Sequence, residues 1–175
     1  GVLSPLLANI YLHYVLDEWI EQSVAPRLRG RVFLIRYADD FVLGFKCEAD
    51  ARLVLEWLPQ RFSEHSLTIH PAKTRLVRFR PRDRGRGPQH PDLPHTFDFL
   101  GFTHYWAPSR KGHWVVKQKT ASDRFTRAVK KIATWCREHL HLKLKEQHAK
   151  LSQKVRGHYN YYGITGNSRS LSGFQ

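Results

Sequence analysis

Apolar residues near the start of the chain recur at helical spacing. The segment LSPLLANIYLHYVLDEWIEQ places Ser4 as a candidate N-cap and Pro5 at the first helical position. The apolar positions that follow are Leu7, Ile10, Tyr11, Tyr14, Val15, Leu16, Trp19 and Ile20. Since these positions share one side of a helix, we predict a helix whose apolar stripe faces the core.

A different pattern begins after Gly30. Val32–Ile35 and Phe41–Phe45 are short runs rich in β-branched and aromatic residues. Only five residues, Arg36 to Asp40, separate the two runs, and the last four of them are Tyr-Ala-Asp-Asp. We therefore predict a β-hairpin, although its link lacks the Asn-Gly or Asp-Gly pair typical of such turns.

The middle of the chain predicts a second helix, a turn, a strand and a loop. Residues 47–65 show helical periodicity, with a turn at His70-Pro71 and a strand at Arg75–Arg80 to follow. Residues 81–95 hold four prolines and two glycines, which predicts an exposed loop. The buried side of the helix is expected to comprise Ala51, Val54, Leu55 and Leu58.

The last third changes from strands to helices. Residues 97–106 read as one strand and residues 113–119 as a second, joined by a turn at Ser109–Gly112. From Thr120 onward the pattern is helical. The first helix should bury Phe125, Val129, Ile132 and Cys136. The second, from about Lys143 to Tyr162, should bury Leu144, Leu151, Val155, Tyr159 and Tyr162.

Charge indicates a polyanionic partner. The chain has 29 Lys and Arg against 15 Asp and Glu, a net charge of +14 and a pI near 10.2. Residues 1–60 carry 6 basic and 8 acidic side chains, whereas residues 61–175 carry 23 and 7. Such an excess is typical of nucleic-acid binding, although a generally basic, solvated surface is the plain alternative.

The setting follows from what the sequence lacks. Cys47 and Cys136 lie far apart and form no C-x-x-C pair, which argues against a zinc site or a disulfide framework. No apolar run is long enough to cross a membrane and no signal peptide is visible. We expect no membrane partner and an intracellular location, in the cytoplasm of a bacterium or the interior of an organelle.

Asp39 and Asp40 stand side by side between the two apolar runs of the hairpin. Like charges this close repel, and apolar surroundings would push each towards protonation. A divalent cation removes the conflict, because Mg²⁺ prefers carboxylate oxygens and keeps water and substrate phosphates in its shell. Because strand side chains alternate, we expect Asp39 to be the main ligand. The plain alternative is an ordinary Asp-Asp turn.

Five segments in order resemble the group II intron reverse transcriptase/maturase family. GVLSPLLANIYLH is similar to the fourth reverse-transcriptase block, RYADDFVLGF to the fifth with its catalytic hairpin, and LTIHPAKTRLV to the sixth. FDFLGF resembles the seventh block, and LSQKVRGHYNYYG resembles the thumb, or maturase, region. The resemblance implies an α+β fold: a partial polymerase palm over 1–119, with an antiparallel sheet and packed helices, and a truncated helical thumb over 120–175.

The resemblance also implies catalytic roles. Asp39 and Asp40 would bind two Mg²⁺ ions, with Mn²⁺ as an alternative metal. Lys73 would lie near the deoxynucleoside triphosphate and assist the leaving pyrophosphate. Tyr37 and Ala38 would lie near the primer terminus and the incoming nucleotide. For Lys73 the alternative is a surface cation.

Further positions would contact nucleic acid. Phe99, Leu100 and Gly101 would position the DNA primer, and Gly1 would let template or nucleotide approach the backbone closely. Core packing is the alternative for Phe99 and Leu100. The thumb would contact the RNA template, the primer and intron RNA through Arg124, Arg127, Lys130, Lys131 and Arg156, for which a solvated helix face is the alternative.

The expected function is RNA-directed DNA synthesis by two-metal nucleotidyl transfer, with assistance to intron splicing. Polymerases of this kind use a third carboxylate from a block upstream of Gly1, so we expect the segment alone not to polymerise. Two other readings stay open. One is an RNA-binding maturase remnant without polymerase activity, and the other is a retron or CRISPR-associated reverse transcriptase.

Overall fold

The computed structural model describes residues 3–81 and 95–173. The chain divides into two compact units, one up to Arg78 and one from Phe79 onward. Both combine helices with antiparallel strands, so the predicted α+β class is confirmed. Gly1 and most of the predicted 81–95 loop, residues 82–94, lie outside the described ranges. No helix within those ranges has the length and apolar composition needed to cross a bilayer.

The first unit begins with helix α1, Leu3–Leu12. Wider, π-helical turns continue it over His13–Asp17 and Trp19–Val24. A single 3₁₀ turn ends it at Ala25–Arg27, where Pro26 occupies the second position. Ser4 lies inside α1 rather than capping it, so that part of the prediction is wrong.

The apolar stripe of this helix is buried only in its second half. Leu7, Ile10, Tyr11 and Tyr14 are exposed, contrary to the prediction. The core of the unit is formed by Leu16, Ile20, Val24, Val54, Leu58 and Phe62. The second helix and the hairpin pack against Leu16, Ile20 and Val24, whereas the apolar side chains of Leu7, Ile10 and Tyr11 remain exposed.

The predicted hairpin is confirmed as strands β1, Val32–Tyr37, and β2, Asp40–Phe45. The pairing runs from Val32 opposite Phe45 to Tyr37 opposite Asp40. The predicted helix at 47–65 is confirmed as α2, Glu48–Glu64. Alternation along β1 turns Val32 and Leu34 towards the core and leaves Phe33, Ile35 and Tyr37 exposed.

The segment after α2 differs from the prediction. The turn is present, because the carbonyl of His70 accepts hydrogen bonds from the amides of Lys73 and Thr74, both at 3.1 Å. Arg75–Arg80 do not form a strand. A strand needs a ladder partner, and the described sheets, β1–β2 and the three-stranded sheet of the second unit, leave this segment unpaired.

The second unit contains a three-stranded antiparallel sheet. Its strands are β3, Phe97–Phe99, β4, Phe102–Pro108, and β5, Trp114–Thr120. The prediction of one strand over 97–106 is wrong, because Leu100 and Gly101 form a two-residue turn with φ of 51° and 79°. The predicted turn at Ser109–Gly112 is confirmed.

Three helices follow the sheet: α3, Ser122–Glu138, α4, Leu144–Tyr162, and the short α5, Ser168–Ser172. The expected helical character after Thr120 is therefore confirmed. Val129 of α3 is 40% exposed, so its predicted burial is wrong. The predicted burial of Leu144 is also wrong, because this residue is 82% exposed. Leu144 is the first residue of α4, at the exposed end of the helix.

Candidate active site and nucleic-acid interface

Asp39 and Asp40 lie at the tip of the β1–β2 hairpin. Because Tyr37 pairs with Asp40, the loop consists only of Ala38 and Asp39. Ala38 has a φ of +54°, which an L-residue rarely adopts. Both carboxylates are exposed, instead of lying among the apolar side chains of the flanking strands. The tightness of the loop fixes two adjacent acidic groups at one end of a rigid ladder.

The donor set at this tip suits a hard cation. Two carboxylates offer oxygens of the kind that Mg²⁺ prefers, and this ion is usually held by one or two carboxylates together with water and substrate phosphates. Within residues 3–81 and 95–173, no group of three or more His, Cys, Asp or Glu side chains could hold a metal. By the chemistry of their oxygens, Asp39 and Asp40 would suit part of a magnesium site.

The guanidinium of Arg36 braces the turn from one side. Its Nε donates to Asp17 Oδ1 at 2.8 Å and its Nη2 to Asp17 Oδ2 at 2.6 Å. Its Nη1 donates to Asn9 Oδ1 at 2.9 Å and to the carbonyl of Ala38 at 3.0 Å. One side chain thus ties the first helix to the peptide group that precedes Asp39. Ala38 has an unfavourable positive φ, and the hydrogen bond from Arg36 to its carbonyl helps to keep the backbone in that conformation.

This ion pair is shielded, since the side chains of Arg36 and Asp17 are 14% and 26% exposed. The hydrogen bond from Arg36 lowers the pKa of the Asp17 carboxyl, and burial opposes that shift only in part. Nearby His13, whose Nδ1 lies 3.3 Å from Asp17 Oδ2, lowers this pKa further. The same bond raises the pKa of Arg36. Sequence reasoning missed the pair because 19 residues separate its members.

The Asp17 carboxyl predicts an acid-sensitive contribution to stability. A carboxyl with a depressed pKa stabilises the fold above its unfolded value, here 3.8, and that contribution is lost as pH falls through the folded value. Chemical unfolding of the wild type and of Asp17→Asn should therefore give free energies that converge below about pH 4. A difference that stays constant across that range would contradict this assignment. Glu48→Gln, which alters the exposed Glu48–Arg52 pair, is the control.

The other candidates of the first unit are placed as follows. Tyr37 is 67% exposed at the end of β1, and Ala38 follows it in the loop. Lys73 is exposed in the turn that His70 closes. Among the described residues its ammonium group has no ion-pair partner, so it is available to a phosphate. Gly1 lies outside the described ranges.

Phe99, Leu100 and Gly101 form the tip of the β3–β4 hairpin in the second unit. A leucine with positive φ is uncommon, and such a residue costs roughly 1–3 kcal/mol. Two hydrogen bonds hold the turn: Tyr161 Oη donates to the Leu100 carbonyl at 2.9 Å, and the Ala121 amide donates to the Gly101 carbonyl at 3.0 Å. The residues that the resemblance implies for primer contact thus lie at a turn that is held by two hydrogen bonds.

Gly101 and Gly112 provide a matched pair for testing this packing. Both have positive φ, 79° and 82°, but a Cβ on Gly101 would lie 3.0 Å from Tyr162 Oη, whereas a Cβ on Gly112 meets nothing within 4 Å. Gly112→Ala should cost only the backbone penalty, about 1–2 kcal/mol of unfolding free energy. Gly101→Ala should cost about 1 kcal/mol more, from overpacking.

Denaturant unfolding measures the free energy of unfolding of both glycine variants. Gly101→Ala is also made in a protein that carries Tyr162→Phe. Removing the hydroxyl vacates the space that the new methyl group needs, so Gly101→Ala should cost less in that background. Equal costs for the two glycine variants would show that the Tyr162 contact is unimportant.

The predicted cationic residues lie on the exposed sides of α3 and α4. Asp123 engages Arg127 at 2.9 Å and approaches Arg124 at 3.7 Å. These exposed pairs are weak, so both arginines can exchange the carboxylate for a phosphate. Within residues 3–81 and 95–173, Lys130, Lys131 and Arg156 have no ion-pair partner. The five cations thus lie on exposed helix surface, as an interface with a phosphate backbone requires.

Comparison with known proteins gives a family match. No curated protein matches the chain. The family model described as reverse transcriptase (RNA-dependent DNA polymerase) matches residues 1–104, a span that contains the Asp39–Asp40 turn and the Phe99–Gly101 turn. Since that span exceeds half of the 175 residues, the chain belongs to the reverse transcriptase family.

Proposed function

We propose that this chain provides part of the palm, over 1–119, and the thumb, over 120–175, of a group II intron reverse transcriptase. The polymerase would extend a DNA primer on an RNA template from deoxynucleoside triphosphates and would assist splicing of its intron. The observation that carries the proposal is the pair of adjacent exposed carboxylates at the tip of the β1–β2 hairpin, inside the span of the family match. The RGHYNYYG segment of α4 favours the group II type over retron or CRISPR-associated enzymes.

Asp39 and Asp40 would hold the catalytic metals, with Asp39 as the main ligand. Two Mg²⁺ ions held by these carboxylates would activate the primer hydroxyl and stabilise charge at the leaving oxygen. The chain's own contribution is to present both carboxylates on a stiff ladder, where little reorganisation accompanies the reaction. Lys73, exposed and without an ion-pair partner among the described residues, would neutralise the departing pyrophosphate. A third carboxylate from elsewhere in the polymerase would complete the site.

Arg36 would act as a positioning residue for this turn. Its bond to the Ala38 carbonyl fixes the peptide plane next to Asp39, and its bidentate pair with Asp17 fixes the guanidinium itself. A displacement of 1 Å at reacting groups can cost about a hundredfold in rate. The network therefore supports a preorganised catalytic turn, which pure RNA binding would not need.

The cations of α3 and α4 would hold the template–primer duplex and intron RNA. Contacts of this kind release counterions, so affinity should fall steeply with salt. For the double variant Lys130→Ala/Lys131→Ala we expect weaker RNA binding and a salt slope reduced by about 2. Fluorescence anisotropy over a salt series measures both quantities. Arg52→Ala, on exposed α2, is the control, and an unchanged slope in the double variant would remove these lysines from the interface.

Primer extension and intron splicing, assayed on the polymerase that carries this chain, test the proposal together. We expect Mg²⁺-dependent extension on the intron RNA and faster splicing of that RNA. Splicing assistance without extension would favour the maturase remnant. Extension without any effect on the intron would favour a retron or CRISPR-associated enzyme.

A further inference from the structure

The RGHYNYYG segment at the end of α4 contacts the Leu100–Gly101 turn. Tyr161 Oη donates a 2.9 Å hydrogen bond to the Leu100 carbonyl. The Tyr161 ring stacks on Phe102, the first residue after the turn, with centroids 5.8 Å apart and planes 17° apart. The ring and the hydroxyl of one side chain therefore contact both sides of the same turn.

A second tyrosine fills the space against the turn. The ring of Tyr162 lies 5.2 Å from that of Phe102, and its hydroxyl oxygen lies 3.0 Å from the position that a Cβ at residue 101 would take, which is a tight contact. Burial raises the pKa of Tyr162, and nearby Tyr161 raises it further. Gly101 is thus required both by its positive φ and by the packing of Tyr162.

A buried asparagine closes this arrangement into a ring. Asn167, 1% exposed, accepts a 2.9 Å bond from the Thr120 amide through Oδ1. Its Nδ2 donates at 2.8 Å to Thr120 Oγ1 and to the Tyr162 carbonyl. Ala121, which follows Thr120 in the chain, donates its backbone amide to the Gly101 carbonyl. A hydrogen-bonded circuit therefore links the end of β5, the end of α4 and the turn.

These hydrogen bonds surround Leu100, whose backbone conformation is unfavourable for a leucine. Leu100 has a φ of +51°, and a bulky side chain with positive φ is a genuine outlier. Such strain persists only where surrounding contacts impose it, and it concentrates at functional sites. Two carbonyls of the turn each receive a bond from outside the hairpin, one from Tyr161 and one from Ala121.

We propose that Tyr161 is a positioning residue that holds the Leu100–Gly101 turn in the conformation that contacts the primer. This rests on the proposed function, in which Phe99, Leu100 and Gly101 position the primer end. The hydroxyl of Tyr161 acts through the Leu100 carbonyl and does not touch the substrate. The thumb helix thereby sets the alignment of the primer end as well as the affinity for the duplex.

The test compares Tyr161→Phe with Tyr105→Phe in the polymerase that carries this chain. Tyr161→Phe keeps the ring that stacks on Phe102 and removes only the donor to Leu100. Tyr105 lies on β4, where Lys119 contacts its ring, a contact that phenylalanine preserves. Template–primer affinity depends mainly on phosphate contacts, so it should change by less than about twofold in either variant. The maximal extension rate should fall about tenfold in Tyr161→Phe alone, because the primer end is misaligned.

A second readout separates this proposal from the proposed function. A 2-aminopurine at the primer terminus reports by its fluorescence whether that base is held in the bound template–primer, without turnover. A changed signal in Tyr161→Phe, with Tyr105→Phe equal to wild type, supports the positioning role even if the wild type does not extend primers. Failure of the wild type to extend would count against the proposed function alone.

Three results would overturn the positioning role. The first is equal extension rates and equal fluorescence in the two variants. The second is a wild type that does not bind template–primer. The third is a Tyr161→Phe variant whose affinity falls in parallel with its rate and whose melting temperature drops well below that of Tyr105→Phe, because this pattern indicates a purely structural residue.

Discussion

Replacing Asp39 by asparagine is expected to lower RNA-templated primer extension about 1,000-fold, equivalent to about 4 kcal/mol of transition-state stabilisation. The amide keeps the size and polarity of the side chain but removes the negative charge that holds a divalent cation. Since Asp39 is exposed in a two-residue loop, the substitution should leave the unfolding free energy within about 0.5 kcal/mol of wild type. The loss should therefore appear in the maximal rate.

Two further variants define the specificity of this result. Asp40→Asn should also lower the rate, but less than Asp39→Asn, if Asp39 is the main ligand. Glu56→Gln removes an exposed carboxylate of α2 in the same unit and should leave extension unchanged. An equal loss in Glu56→Gln would indicate a general effect of charge. Gel-based extension assays at several Mg²⁺ concentrations make the comparison.

Replacing Arg36 by lysine should lower both stability and catalysis. A lysine cannot reproduce the fork that bonds both oxygens of Asp17 and also reaches Ala38. The lysine ammonium keeps the positive charge beside Asp17 but cannot make all the hydrogen bonds of the guanidinium, and we expect a loss of about 2 kcal/mol in unfolding free energy from the bonds that are lost. The maximal extension rate of the folded variant should fall about a hundredfold, because the turn before Asp39 is released.

The Arg52–Glu48 pair is the matched control for Arg36. Arg52 also donates through Nε and Nη2, at 3.0 and 2.6 Å, but both of its bonds go to Glu48 Oε1. The two side chains are 57% and 44% exposed. Arg52→Lys should therefore cost less than about 1 kcal/mol and leave extension intact. Arg36→Lys with wild-type extension would show that the network is only a structural link.

The sequence predicted those elements whose pattern and partner are both local. The β1–β2 hairpin joins two apolar strands through a short link, and α2 carries a buried face with regular spacing. In both cases the backbone hydrogen bonds that form the element join residues close in the chain. The acidic tip was identified for the same reason, because Asp39 and Asp40 are adjacent.

Other features depend on distant partners. Periodicity located the apolar stripe of α1 and of the turns that continue it, but not that only the apolar positions from Val15 onward are buried. The alternation of residues 97–106 concealed a turn, because Leu100 is an unusual residue at positive φ and only Gly101 indicated a break. The Arg36–Asp17 bonds and the Tyr161–Leu100 bond span 19 and 61 residues, and no spacing rule connects such positions.

The most direct test of the catalytic turn is a single-turnover measurement on the double variant Asp39→Asn/Asp40→Asn. Rapid quenching measures the addition of one deoxynucleotide to a template–primer already bound at saturating protein, and anisotropy measures the affinity for the same duplex. We expect affinity within about twofold of wild type, because phosphate contacts lie elsewhere, and no detectable nucleotide addition. Addition at the wild-type rate by the double variant would contradict it.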